Sequence, residues 1–161
     1  MPEHEIELTV NDTANTVSVE GRTLLIHALR DQLGATGPKI GCERGKCGAC
    51  TVRLDGEVVK SCMILAVQAD GKSIETIGGV GGDALDPVQE AFRAEHGLQC
   101  GYCTPGMVLA THALLESNED PTRPEIREAL KGNVCRCTGY HNIVNAIERA
   151  SKQLAAQEGA E

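Results

Sequence analysis

Eight cysteines in a chain of 161 residues fall into two sets of four. Cys42, Cys47, Cys50 and Cys62 are spaced C-x4-C-x2-C-x11-C, and Cys100, Cys103, Cys135 and Cys137 are spaced C-x2-C-x31-C-x-C. The first spacing is that of plant-type [2Fe–2S] sites. Four thiolates and two sulfides around two ferric ions carry a net charge of about −2, which the protein must neutralise without admitting water. In "GCERGKCGACTV" the thiols alternate with Gly41, Gly45 and Gly48, and a glycine-rich loop can bring backbone N–H groups up to the sulfurs. A structural zinc site is the competing chemistry, because 47/50 and 100/103 are C-x2-C pairs of the zinc-ribbon kind. Those pairs lie far apart, however, and Cys42 adds a third thiol to a loop from which zinc takes two. The second set is less diagnostic. C-x-C is uncommon for zinc, and Cys100/Cys103 and Cys135/Cys137 each precede an expected helix. Two loops at helix starts can meet, and their partial positive charge favours an anionic group. Spacing alone leaves both a second cluster and a zinc site open there.

Composition narrows the setting. The net charge of −8 argues against a nucleic-acid partner, which recruits basic patches. Phe92, Tyr102 and Tyr140 are the only large rings, so the core must rest on Leu, Ile, Val and Ala, and a small core of that kind often needs a metal or a disulfide as a staple. The opening "MPEHEIELTV" has no basic start and no apolar run, and no stretch approaches the roughly 20 apolar residues of a membrane span. The expectation is a soluble, cytoplasmic chain in a reducing compartment, where clustered thiols hold metal more often than they form disulfides.

The elements that must position these thiols divide into two halves. In the first, Ile6, Leu8 and Val10 alternate on a strand, "ND" marks a turn and "TVSV" is a return strand. "TLLIHALRDQLG" has helical spacing, with Thr23 as cap, Leu25, Ile26, Leu29 and Leu33 on one face and Gly34 as stop. "TVRLDGEVVK" is a hairpin turning at Asp55-Gly56, and "SIETI" is a last strand. The second half is helical. Asp86-Pro87 with Gln89, Thr104-Pro105, and Thr122 with Glu125 mark three helix starts, with Gly97 and Gly132 as stops. Ile143, Ile147, Ala150 and Leu154 line a fourth helix, and the tail "QEGAE" is expected to fray. The reading is α+β: a β-grasp-like domain over 1–77, a linker over 78–83 and a four-helix domain over 84–161. No internal repeat is visible.

"GCERGKCGACTV", "QCGYCTPGMV" and "GNVCRCTGYHNIV" closely resemble the signature segments of the small iron–sulfur subunit of the xanthine oxidase family, the molybdenum hydroxylases. The resemblance runs from about Glu5 to Ala150 and matches all eight cysteines. It implies a plant-ferredoxin-like N-terminal domain and a C-terminal four-helix domain, each holding a [2Fe–2S] cluster. It further implies that the second cluster lies beside a molybdenum–pterin cofactor and the first towards FAD. Gln99 and Cys137 match the residues expected to contact the pterin. The partners implied are a large molybdenum–pterin subunit and a medium FAD subunit, in a dimer of heterotrimers. The reaction implied is oxidative hydroxylation, with this chain passing electrons singly from molybdenum towards FAD. Some members oxidise carbon monoxide or act reductively on aromatic acyl-CoA esters. Substrate choice, whether aldehyde, purine, N-heteroaromatic, carbon monoxide or acyl-CoA, would lie on another subunit, and so would the acceptor.

Against that implied role stands a free-standing two-cluster carrier or sensor, which needs no large partner. Other residues invite plainer assignments. His112, on an apolar helix, reads as a packed or interfacial histidine, and His27 likewise. Arg44 and Lys46 flank the first thiol loop as solvated charges, as groups that tune the potential of a cluster there, or as contacts to a flavin subunit. Met107 reads as core, and Tyr102 and Tyr140 as shields of the second thiol set.

Overall fold

The computed structural model describes residues 2–158. Strands β1 (Glu3–Val10) and β2 (Thr13–Glu20) form an antiparallel hairpin turning at Asn11 and Asp12, both with positive φ (46° and 63°). Ile6, Leu8 and Val10 bury on one face, as their alternation requires. β3 (Thr51–Leu54) and β4 (Glu57–Lys60) form the second hairpin across Asp55-Gly56. β5 (Lys72–Glu75) runs parallel to β1 and antiparallel to β3, which gives the order β2-β1-β5-β3-β4. The last strand in sequence is thus the middle of the sheet, an order that alternation cannot reveal.

The helix expected over the "TLLIHALRDQLG" stretch is tighter at one end and wider at the other. An α-helical turn, α1 (Leu25–His27), passes directly into a π-helical segment (Ala28–Gln32), where the Leu33 N–H reaches back to the Ala28 carbonyl at 3.1 Å. Thr23 is not its cap: Leu24 holds that place with no side-chain bond, and the Thr23 carbonyl instead accepts from Ala66 N–H at 2.7 Å. Leu25, Ile26 and Leu29 are fully buried, and Leu25 and Leu29 pack with Ile6, Leu8, Val52 and Ile74 under the sheet.

The second half holds α2 (Pro87–Ala94), α3 (Thr104–Ser117), α4 (Arg123–Ala129) and α5 (His141–Glu158). Asp86 caps α2 by accepting from Gln89 N–H at 2.7 Å, while the Gln89 side chain accepts from Asp86 N–H. Glu125 closes the start of α4, accepting from both N–H and hydroxyl of Thr122. Two expectations fail at helix ends. Cys103, not Thr104, is the cap residue of α3, and the left-handed residue after α2 is His96 (φ 53°) rather than Gly97. The tail expected to fray is helical through Glu158, and its last three residues lie outside those described. Phe92, Met107, Ile126, Ile143 and Ile147 are fully buried in a second, separate core. Each such side chain contributes about 1.5–3 kcal/mol when removed from water.

Away from the thiols, Arg53 of β3 ties the halves together in a bidentate pair with Glu116 of α3, while Asn11 and Thr76 exchange hydrogen bonds within the first half, at the end of the sheet. Among the described residues no helix is long and apolar enough to cross a membrane.

Candidate metal centres

The first four thiols stand on the loop between the π-helical segment and β3, and on the short 3₁₀ turn after β4. In the loop, Sγ of Cys42 accepts the backbone N–H groups of Cys47 and Arg44, each at 3.4 Å. These bonds, that of Cys47 foremost, bring the Cys42 thiol down to about 7, so its metal-binding thiolate form is accessible at neutral pH. Cys62 comes from the turn Ser61–Met63 and meets Cys50 side chain to side chain. Ile26, Leu24 and Ile40 pack under both, and burial pushes Cys50 up to about 11. Ser61 fixes this return: its hydroxyl reaches the Cys50 carbonyl at 2.6 Å and its N–H at 3.3 Å. A β-carbon at Gly41 would stand 2.7 Å from Cys47 Sγ, which is why that position carries none.

The second four stand on two loops that lead into helices, as the spacing suggested. Cys100 and Cys103 precede α3, and Cys135 and Cys137 precede α5. Cys103 meets Cys135, and Cys100 meets Cys137. Burial pushes Cys103 up to about 12. Cys100 is lowered, chiefly by the Tyr102 backbone N–H and then by the Cys137 side chain. Burial would raise Cys135, but the Thr138 hydroxyl at 3.2 Å from its sulfur, with backbone N–H groups of Thr138 and Cys137, outweighs burial and lowers it. The Cys135 N–H donates to Tyr140 Oη at 3.0 Å.

All eight cysteines are free. Their approach is pairwise: 42 with 47, 50 with 62, 100 with 137 and 103 with 135. Among the described residues no three Cys, His, Asp or Glu side chains are grouped as a single ion would require. A two-iron cluster takes two thiolates on each iron, so two pairs per site suit it, whereas a tetrahedral zinc needs four donors on one point. Three further features fit an anionic, sulfur-rich group. Backbone N–H groups converge on Cys42. Thr104 Oγ1, one residue after Cys103, is buried without a partner. The half-buried Lys60 ammonium faces thiols: burial lowers its pKa, and Cys50, Cys47 and Cys62 pull it back up.

The two sets are closely coupled in space. The Val134 N–H, one residue before Cys135, donates to the Cys47 carbonyl at 2.8 Å. The Tyr102 hydroxyl donates to the Ile40 carbonyl at 2.6 Å. Gly48 (φ 75°) is wedged between the halves: a β-carbon there would overlap Asn133 Oδ1 and the Gly132 carbonyl, and one at Gly106 would overlap the Gly48 carbonyl.

The remaining residues singled out from the sequence fall as follows. Gln99, Cys100 and Cys137 are exposed, and so are the apolar side chains of Leu98, Tyr102 (48 % exposed) and Val134 (52 %), each within two residues of one of the four thiols of the second set. Tyr102 therefore does not seal the second set from water, while Tyr140 packs against the helical core. Met107 is buried. His112 is no ligand: its Nε2 lies 2.5 Å from Asp86 Oδ2, an ion-pair distance between α3 and the cap of α2. His27 stands at the surface between Asp31 and Glu43. Arg44 and Lys46 are exposed and serve the first loop through their backbone N–H groups. Lys60, Asn133 and Thr138 were missed. Thr138 had a signal, since a threonine two residues before Tyr140 can take its N–H, as it does at 3.1 Å. Lys60 and Asn133 had none, because their meeting at 3.5 Å spans 73 positions.

Comparison with known proteins agrees with this geometry. Residues 8–76 match a family model described as a 2Fe-2S iron-sulfur cluster binding domain, and residues 74–148 one described as a [2Fe-2S] binding domain. The chain is 48% identical over 155 residues to the nicotine 6-hydroxylase small subunit of Paenarthrobacter nicotinovorans, covering 96% of this chain and 94% of that one. It is 49% identical over 155 residues to caffeine dehydrogenase subunit gamma of Pseudomonas sp. (strain CBB1), covering 94% and 93%. In fold it superposes on a chain of quinoline 2-oxidoreductase from Pseudomonas putida 86 with a TM-score of 0.92, at 46% identity and 98% coverage of each.

Proposed function

Because the chain belongs to the family of small iron–sulfur subunits of the molybdenum hydroxylases, we propose that it carries electrons within such an oxidoreductase, from a molybdenum–pterin centre through two [2Fe–2S] clusters towards FAD. When bound, each cluster supplies one-electron redox chemistry. Cys42, Cys47, Cys50 and Cys62 hold the first, and Cys100, Cys103, Cys135 and Cys137 the second. The same proposal takes 1–77 and 84–161 as the two cluster-binding units and 78–83 as the linker. The separate hydrophobic cores of the two halves support that division.

The observation that carries the reading is the direct hydrogen bond between the two thiol loops, from Val134 N–H to the Cys47 carbonyl. It joins a ligand of one set to the neighbour of a ligand of the other by a short covalent and hydrogen-bonded path. The exposed rim of Leu98, Gln99, Tyr102, Val134 and Cys137 supports a partner on the second set. We assign that rim to the large subunit, with Gln99 offering a donor and an acceptor to the pterin edge. The flavin subunit is assigned to the side of the first set. The named relatives differ in substrate, as a shared electron carrier permits, so the substrate site is placed on the large subunit. We place the complex in the cytoplasm.

Native purification of the tagged chain tests this reading. About four irons and four acid-labile sulfides per chain are expected, the sum of two [2Fe–2S] clusters. Two reduced-state EPR signals should appear, with molybdenum and flavin in the same peak. A chain that isolates alone, with both signals but neither cofactor, would instead mark a free-standing carrier.

A further inference from the structure

Lys60 ends β4 opposite Thr51, where a strand residue is ordinarily half solvated. Its ammonium turns instead into the space under the first thiol loop. Nζ donates to Thr51 Oγ1 at 3.0 Å and to Asn133 Oδ1 at 3.5 Å. Thr51 in turn donates its hydroxyl to the Gly48 carbonyl at 2.7 Å, so the lysine is held through Thr51 onto the loop that carries Cys47 and Cys50. Among the described residues no carboxylate pairs with it, and the ionisable groups nearest it are the thiols of Cys50, Cys47 and Cys62. A half-buried ammonium left without a counter-ion is costly. The anion that can answer it is the one those thiols would hold. Arg44 and Lys46 differ in kind, being exposed and so screened by water.

We propose that Lys60 is a built-in counter-charge to the first cluster that raises its reduction potential and so makes the N-terminal site the better electron acceptor. This inference rests on the proposed binding of a [2Fe–2S] cluster by Cys42, Cys47, Cys50 and Cys62. On reduction one electron enters, one ferric iron becomes ferrous and the formal charge goes from about −2 to about −3 on a four-thiolate cluster. No bond is made or broken and no proton is needed. A fixed cation close by, in a partly dry site, favours the more negative state. Because Nζ also touches Asn133, two residues before Cys135, the same charge reaches the second set, but more weakly than the set of which three thiols face it.

The test is EPR-monitored redox titration of the intact complex, comparing wild type with Lys60→Met, Lys60→Gln and Lys60→Arg. In Lys60→Met and Lys60→Gln the midpoint of the first cluster should fall by about 59 mV, a tenfold drop in the reduced-to-oxidised ratio at fixed ambient potential. The second midpoint should move less, and Lys60→Arg should stay near wild type. If both neutral variants lose the first cluster while Lys60→Arg keeps it, the requirement for a positive charge stands. Unmoved midpoints in the neutral variants overturn the inference alone. So does an arginine variant that shifts or loses the cluster as they do, since packing would then be the cause. A wild-type complex with no first-cluster signal overturns the proposed function, and this inference with it.

Discussion

Arg53 grips Glu116 through two parallel hydrogen bonds, Nη1 to Oε1 at 2.6 Å and Nη2 to Oε2 at 2.7 Å, across a separation of 63 residues. The pair ties a strand of the sheet half to a helix of the helical half. Arg53 is mostly buried and Glu116 half exposed. Bidentate geometry strengthens such a pair, and exposure weakens it. A double-mutant cycle with Arg53→Ala and Glu116→Ala should return a coupling of about 1 kcal/mol by thermal unfolding. Both EPR signals should survive in each variant. Zero coupling would leave the contacts between the thiol loops as the effective joints.

Thiol pairing sets a second expectation. Cys47→Ser should abolish one reduced-state EPR signal and spare the other, and Cys135→Ser should do the reverse. Iron should fall from about four to about two per chain in each, since each site holds two. Ligand loss also removes folding energy, so the half that carries the substitution should lose protection in hydrogen exchange first. Simultaneous loss of both signals from one substitution would show the sites to be a single cooperative unit.

The apolar rim around the second set gives a third. Val134→Asp places a charge on the most exposed apolar side chain of the proposed large-subunit contact while leaving its backbone N–H on Cys47. The chain should keep both clusters and no longer co-purify with molybdenum. Gln99→Ala should leave assembly intact and slow reduction of the second cluster by substrate in rapid-freeze experiments. Wild-type kinetics in that variant would remove Gln99 from the route.

Acid sensitivity offers a fourth. Asp86 is desolvated, which alone would raise its carboxyl, but the bonds from His112 and from the Gln89 N–H outweigh this and hold it below its ordinary value of 3.8. A carboxylate depressed by folding stabilises the native state fully above its unfolded pKa, and that stability is lost as pH falls through the folded value. The Asp86 contribution should therefore be constant above about pH 5, begin to fall near about pH 4, the pKa of an unfolded aspartate, and be gone only below the lower folded value. Asp86→Ala should cost about 1–2 kcal/mol at pH 7 as a lost cap, and the gap to wild type should narrow towards pH 3. An unchanged gap in acid denaturation curves would mean that the charge of Asp86 is not what holds α2.

The cysteines, the two hairpins and the helix starts at Asp86 and Thr122 were legible in the sequence because each is local. Spacing within a loop, alternation along a strand and a cap with its third neighbour all act over a few residues. What was illegible is long-range. The central place of β5 depends on parallel pairing with β1 more than 60 residues away. The π-helical widening of the first helix accompanies the seating of Leu25 and Leu29 under the sheet, a tertiary arrangement that a spacing read as ordinary α-helix does not show. Thr104 looked like a cap and is not, because Cys103 takes that place at the mouth of the second thiol set. Nothing in the hairpin sequence marks Lys60, because it is the meeting of two loops 73 positions apart that brings it to Asn133.

The middle strand of the sheet is also the last one synthesised. Until Lys72–Glu75 emerges, the two hairpins have no strand between them, and the loop bearing Cys42, Cys47 and Cys50 hangs from one of them without a frame. The second set is later still, because Cys137 leads into the final helix and that helix supplies much of the second core. A chain cut short of α5 therefore keeps the sheet that frames the first set but lacks the helix that closes the second core. On the proposed reading, retention of the second cluster then acts as a completeness check: a chain without α5 is barred from the electron relay before any partner has to reject it.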